Sequence, residues 1–298
     1  MGGICSEKEI SMKTGMSIAE NIDPRYQIEC IQLEDDYTQL SNRLQSSDLV
    51  FNALHGGMGE NGDIQSFMDM YKINYTGSGA KASTLAMDKQ ITKLIASAEN
   101  IPTPQWILLR VDNIIGANLI EESDKFTYPV VIKPNGEGST MGLSIIKDPS
   151  AIDIAIEQAS EYSNEIIVEE YIPGREITVG ILGNKALPIV EIFPNHDIYD
   201  YECKYTEGMS RYVVPAEILP ELTHQIQQDA LKLYKAMGCR HYARVDFRLN
   251  PENQYYLLEI NTLPGLTLTS LLPKAALATG LDYPSLIETI INIAMVDQ

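Results

Sequence analysis

The chain of 298 residues is 44% hydrophobic and 21% charged, with 20 glycines and 15 prolines, which describes a globular protein long enough for two or three domains. A formal net charge of −19 excludes broad binding to nucleic acid or to an anionic membrane, since either partner would be repelled over most of the surface, and it confines any anion site to a local basic pocket. Cys5, Cys30, Cys203 and Cys239 form no C-x-x-C pair, and no apolar run is long enough for a signal or spanning segment, so a reduced, cytoplasmic protein is expected.

The chain opens MGGICSEKE, a glycine pair and a polar segment able to start a helix, without the apolar strand that normally precedes such a turn in α/β units. Asp48 to Leu54 reads as a strand running into the loop HGGMGENGD, after which Ile64, Phe67, Met68 and Tyr71 recur at helical spacing. Ile73 to Tyr75 reads as a brief strand, TGSGAKAS as a small-residue loop, and Thr84 to Ala98 as one helix carrying Asp88, Lys89 and Lys93. From Tyr128 the sequence predicts two strands around a glycine-rich turn, and from Glu165 three more. Residues 194–212 are rich in tyrosine and lack periodicity, and a loop of that length within a compact domain is usually functional or disordered. Leu219 to Met237 is an amphipathic helix, HYARVDFRLNPENQYYLLEIN a hairpin, and helices near Ser270 to Ala278 and Pro284 to Ala294 close the chain. Trp106 is expected in the core, and His196, His224 and His241 have no ligand-like spacing.

Three constellations carry chemistry. In the last hairpin, Arg244 and Asp246 share one face of the first strand, and Glu259 and Asn261 one face of the second, within about two residues of opposition. Their oxygens are the hard donors that magnesium takes beside nucleotide phosphates, with Arg244 placed to stabilise developing charge; a surface ladder of Arg to Glu across the hairpin is the competing reading. In the glycine-rich turn, Lys133 ends a strand and Gly136, Gly138 and Gly142 surround Ser139 and Thr140, so open backbone N–H groups and a second ammonium from Lys89 can cradle phosphate. In EEYIPGRE, Glu169, Glu170, Tyr171 and Ile172 end one strand and Glu176 starts the next, a pattern suited to an adenine edge and ribose hydroxyls or simply to a charged hairpin.

In that order and spacing, VVIKPNGEGSTMG, IIVEEYIPGREITV, ARVDFRL and YYLLEINTLPG resemble the ATP-grasp ligases, and HGGMGENGDIQSFMD, YTGSG, MDK and YDYECKY narrow the resemblance to the D-alanine:D-alanine ligase family over essentially the whole chain. The resemblance implies an α/β (α+β) ATP-grasp fold of three domains: residues 1–77, an N-terminal α/β domain lacking its first strand, 78–169, a central lobe, and 170–298, a C-terminal lobe. It implies that Lys89, Lys133 and Lys204 belong to the ATP site, with Glu169 to Ile172 on adenine and Glu176 on ribose. Asp246, Glu259 and Asn261 would hold two magnesium ions, with manganese able to replace them. Glu7 and the His55 loop would hold the first D-alanine, and Ser270 with the Pro264–Gly265 turn would position the second. Lys204 and Tyr205 would lie on a mobile covering loop where Tyr205, Ser139 and Glu7 form a hydrogen-bonded set.

The reaction so implied activates one D-alanine carboxylate as an acyl phosphate and joins it to the amine of another, a step in peptidoglycan precursor synthesis. Arg244 and the N–H of Gly265 are the candidate oxyanion donors. Tyr205 favours an amine as second substrate. The partners expected are ATP and D-alanine, with no nucleic acid or membrane, and a homodimer. Two alternatives stand beside this reading: another ATP-grasp carboxylate–amine ligase, and a nucleotide-binding scaffold impaired by the missing strand.

Overall fold

A computed structural model describes residues 1–3, 7–33, 40–111, 126–196, 198–206 and 208–297; Cys5 lies outside them. Helix α1 (Lys8–Asn21) buries Ile10, Ser11, Thr14 and Ile18 along one face. Ser11 ties it inward, accepting from the Gly2 N–H at 2.8 Å and donating to the Ala53 carbonyl at 2.8 Å. The strands expected over 48–54 and 73–75 shrink to a single parallel bridge, Val50 to Tyr75, and residues 1–3 add one more, Gly2 to Leu33. A cavity of about 820 Å³ in this region is lined by Met1, Ile18, Leu33, Phe51, Ala53 and Met68 among others. Each segment thus makes one bridge rather than the run of consecutive pairs that a strand requires.

The helix expected over 84–98 is two helices, α4 (Ala80–Met87) and α5 (Lys89–Ala98). Asp88 divides them because its backbone is extended (φ −81°, ψ 102°) while its carboxylate accepts from the Ile91 N–H at 2.9 Å, the geometry of an N-cap. The same carboxylate accepts from Asn135 at 3.0 Å, so the start of α5 is fixed against the residue that follows Pro134.

Strands β1 (Trp106–Arg110), β2 (Val130–Pro134), β3 (Ser144–Ile146) and β4 (Glu165–Glu170) form an antiparallel sheet in the order β1-β4-β2-β3. Alternation sends Val130, Ile132, Ile166 and Val168 into a core with Ile152, Ala155, Ile156 and Ala159 of helix α6 (Ile152–Ser160). Lys133 and Glu169 take the opposite face. Trp106 departs from the core expectation: it is half-buried, its indole N–H donates to the Gln90 side chain, and its ring lies 5.3 Å from the Lys93 ammonium.

The second sheet has the order β10-β9-β5-β7-β8, with two-residue β6 (Lys185–Ala186) beside β5 (Arg175–Leu182). Its other strands are β7 (Val190–Pro194), β8 (Ser210–Val213), β9 (Tyr242–Leu249) and β10 (Tyr255–Asn261). The strands predicted together from Glu165 therefore belong to different sheets, β4 to the first and β5 to the second, joined by residues 171–174. Residues 194–212 are more regular than expected. They include helix α7 (Tyr201–Tyr205), capped by Asp200 through the Cys203 N–H at 2.9 Å, and β8 paired to β7.

Helix α8 (Pro220–Ala236) buries Ile226, Ala230, Leu233 and Tyr234 in one core with Ile177, Val179, Val245 and Phe247. On the opposite face, helix α9 (Leu271–Leu277) covers one end of β5. A Cβ at Gly180 would lie 2.6 Å from Leu272 Cδ1, so a side chain there would force Leu272 to shift. The rest of that face stays open for polar groups. Helix α10 (Tyr283–Val296) ends the described chain. No described helix is long and apolar enough to cross a membrane.

Candidate active site

The polar face of the second sheet is built by strand parity. Glu176 and Thr178 of β5 stand opposite Arg248 and Asp246 of β9. On β10, Glu259 pairs with Asp246 and Asn261 with Arg244, after a register shift between Leu257 and Glu259. Had the hairpin kept the register of Leu257 to Phe247, Glu259 would face Val245 and point into the core. A bulge at Leu258 prevents this, since one extra residue exchanges the two faces of everything beyond it. The bulge is held from outside, with the Leu257 N–H donating to Pro102 O at 2.7 Å and its carbonyl accepting from Thr103 Oγ1 at 3.0 Å.

Asp246 is the most heavily bonded member. It accepts from Thr178 Oγ1 at 2.5 Å, from Arg244 Nε and Nη2 at 2.9 and 2.8 Å, and from the Asn261 amide at 3.0 Å. Arg244 therefore forks onto its own strand, and the Arg-to-Glu ladder across the hairpin does not form. Burial opposes charge on Arg244, but Asp246 overcomes it and holds the guanidinium pKa above its ordinary value. Glu259 lies 3.7 Å from Lys89 Nζ. Burial acts to raise its carboxyl, while Lys89, Lys204, Lys133 and Arg244 bring it down to about 2. With the Asn261 amide nitrogen turned to Asp246, two carboxylates and an amide oxygen share one face, a hard-oxygen set that fits a divalent cation such as magnesium.

Lys89 links this face to the glycine loop, its ammonium donating to the Glu137 carbonyl. In that loop Ser139 (φ +50°) and Thr140 (φ +65°) are left-handed, an uncommon conformation for residues with a Cβ. A Cβ at Gly136 or Gly138 would meet nothing within 4 Å, so both glycines border open space. Lys133 reaches the same region from β2, its Nζ 2.5 Å from Glu169 Oε1.

Tyr205 and Lys204 of α7 both touch the glycine loop. Glu7 Oε1 accepts from Ser139 and, at 3.2 Å, from the Tyr205 hydroxyl, while Ser139 and Tyr205 stand 3.4 Å apart. Burial chiefly, and Glu7 next, raise the Tyr205 pKa, so its phenol keeps its proton. Lys204 donates to Thr140 Oγ1 at 3.0 Å. His55 is buried, with Nε2 2.9 Å from Thr14 Oγ1 and Nδ1 3.7 Å from Glu60. Its Cε1 lies 3.9 Å from where a Gly265 Cβ would be, and Ser270 Oγ lies 3.0 Å from that point. Glu7, Ser139 and Tyr205 thus meet directly, while His55 and Ser270 both flank Gly265.

At the adenine-edge segment, Glu170 is exposed, and the Glu170 and Tyr171 N–H groups already donate to Gln105 O at 2.9 Å and Pro129 O at 3.3 Å. Glu169 is not open to solvent; it is wedged between Lys133 and Lys93. Arg248, missed in the sequence, braces the segment by donating to the Ile172 and Gly174 carbonyls at 3.1 and 2.9 Å and to Glu176 at 3.3 Å. Its place two residues beyond Asp246 on the same face was the available signal, as was the spacing of Thr178 from Glu176. Burial raises the Glu176 carboxyl against the pull of Arg248. His196, whose spacing suggested no ligand role, has a ring nitrogen 2.7 Å from Asp200 and stands with Cys203 in a group of three side chains whose ligand atoms lie within 4.8 Å of one another.

Family models match twice: "D-ala D-ala ligase N-terminus" over residues 34–78 and "D-ala D-ala ligase C-terminus" over 95–292. The chain belongs to the D-alanine–D-alanine ligase family. It is 40% identical over 301 residues to a D-alanine–D-alanine ligase of Carboxydothermus hydrogenoformans, covering 99% of this chain and 96% of the relative. It is likewise 40% identical over 296 residues to one of Clostridium botulinum, with 99% and 97% covered. Among solved structures, the Bacillus anthracis D-alanine–D-alanine ligase complexed with ATP superposes with a TM-score of 0.88 at 35% identity, covering 100% of this chain and 96% of that one. A D-Ala:D-Ser ligase from Enterococcus faecalis reaches 0.85 at 28% identity, with 99% and 97% covered. The ATP-grasp fold expected for the family is the fold observed.

Proposed function

We propose that the chain catalyses ATP-dependent joining of two D-alanines through an acyl phosphate. The observation that supports this most is the position of Lys89, whose ammonium spans the glycine loop at Glu137 and the carboxylate face at Glu259, so phosphates and oxygen donors meet around one cation. In the first step a carboxylate oxygen of D-alanine bonds to the γ-phosphorus of ATP while the bond to the bridging oxygen breaks and ADP leaves. Lys89 and Lys133 neutralise the phosphates, and Glu170 to Ile172 with Glu176 seat the nucleoside. Two magnesium ions on Asp246, Glu259 and Asn261 would supply further neutralisation of the phosphate oxygens. Thr178 and Arg244 orient Asp246 from behind.

In the second step the neutral amine of another D-alanine attacks the acyl carbon, and the C–O bond to phosphate breaks to release inorganic phosphate. Glu7 with the His55 loop holds the first amino acid; Ser270 and the Gly265 turn position the second, with Arg244 and the Gly265 N–H as oxyanion donors. Tyr205 closes over the site through Glu7 and Ser139, which excludes the water that would hydrolyse the acyl phosphate. We assign residues 1–77, 78–169 and 170–298 to the three domains and expect a homodimer, which light scattering would test. The test of function is ADP release measured with a panel of D-alanine, D-serine, D-lactate and L-alanine. D-alanine-dependent turnover with a dipeptide product supports the assignment. Turnover that prefers another acceptor points to a related carboxylate–amine ligase, and no amino-acid dependence overturns it.

A further inference from the structure

Lys93 sits one helical turn after Lys89 on α5 and is wholly buried, so it touches no solvent and cannot reach a nucleotide itself. Among the described residues its ammonium meets Glu169 Oε2 at 2.7 Å, Thr103 Oγ1 at 2.8 Å and the Trp106 ring at 5.3 Å. Glu169, also buried, gives its other oxygen to Lys133 at 2.5 Å. Charge counting makes the arrangement informative. A Lys133–Glu169 pair alone is neutral, and its ammonium would be spent on the carboxylate 2.5 Å away. Adding Lys93 leaves the triad with one net positive charge. Buried cations are rare because desolvation is costly, and burial does bring Lys93 down to about 8, with Glu169 opposing the fall. An ammonium kept there at that cost calls for a role beyond packing.

We propose that Lys93 is a positioning residue that serves as the counter-charge of Glu169, so that the Lys133 ammonium stays available to the ATP phosphates. The proposal rests on the reading of Lys133 as a phosphate ligand, and it makes Glu169 chiefly a strut between two lysines rather than a reader of the adenine edge. Lys93→Met keeps the length and apolar stem of the side chain while removing the charge.

The experiment measures adenosine, ADP and ATP binding by calorimetry in wild type, Lys93→Met, Glu169→Gln, the double variant Lys93→Met/Glu169→Gln, and Lys133→Met. Lys93→Met is expected to weaken ADP and ATP by roughly ten- to a hundredfold, the scale for one unit charge a few ångströms from a phosphate at intermediate polarity, and to leave adenosine within about twofold. The double variant should regain most of the loss, because removing the carboxylate removes the need for its counter-charge. A double variant no better than Lys93→Met, or adenosine weakened as much as ADP, overturns the proposal in favour of a structural lysine or a base-reading Glu169. Unchanged ADP affinity in Lys133→Met would instead refute the phosphate reading on which it rests.

Discussion

Glu259→Gln isolates the electrostatics of the oxygen face, because it removes a charge while keeping the side chain's shape. A carboxyl held at about 2 instead of its ordinary 4.5 contributes about 3 kcal/mol of folding stability near neutrality. The sign follows from the depressed value: the contribution is complete above the unfolded-state value of 4.5 and is lost as pH falls towards 2. At about pH 3 the unfolded chain already holds the proton while the native carboxylate mostly does not, so about 1 kcal/mol remains. Urea unfolding followed through the single tryptophan, Trp106, should therefore show the variant less stable by about 2–3 kcal/mol at pH 7, narrowing to about 1 kcal/mol at pH 3. A deficit independent of pH would refute the reasoning, and so would a variant more stable than wild type, which would mean that the cluster of lysines around Glu259 is not stabilised by its charge.

Three further outcomes are expected. Thr178→Val removes the 2.5 Å donor to Asp246 and should weaken magnesium-dependent ATP turnover roughly tenfold through metal affinity, seen as a shifted magnesium titration with little change at saturation. Tyr205→Phe removes the hydroxyl that reaches Glu7 at 3.2 Å and should lower dipeptide formation while leaving ADP affinity in calorimetry unchanged; equal turnover in a coupled ADP assay would deny that hydroxyl a role. Gly265→Ala places a Cβ 3.0 Å from Ser270 Oγ, displacing a hydroxyl that also accepts from the Thr267 N–H at 3.1 Å. It should raise KM for D-alanine several-fold and leave KM for ATP alone.

The oxygen face was legible because its members lie two apart on neighbouring strands: Arg244 and Asp246 on one, Glu259 and Asn261 on the other. The bulge that brings the pairs together was not, since Leu258 looks like any other strand residue and the bonds that hold the bulge run from Leu257 to Pro102 and Thr103, more than 150 positions away. Lys93 was visible as a cation on the right helix, but its meaning depends on Glu169, 76 residues later on another element. Arg248 and Thr178 could have been found by extending the same alternation one step. The N-terminal strands failed for a different reason, because an apolar run signals burial while a parallel ladder also requires neighbours in register.

Asp88 has a consequence beyond ending one helix and capping the next. An α-helix turns 100° per residue, so the residue at which it starts sets the compass bearing of every side chain along it. Lys89 and Lys93, four apart, share one bearing, towards the glycine loop and the Glu169 carboxylate. Moving the start by a single residue would swing both ammonium groups through about a quarter of a circle and aim them away from the site together. One carboxylate, held by Asn135 just after β2, thus acts as the clocking pin for two cations, and the sheet that supplies Lys133 also fixes the angle at which the other two lysines meet it.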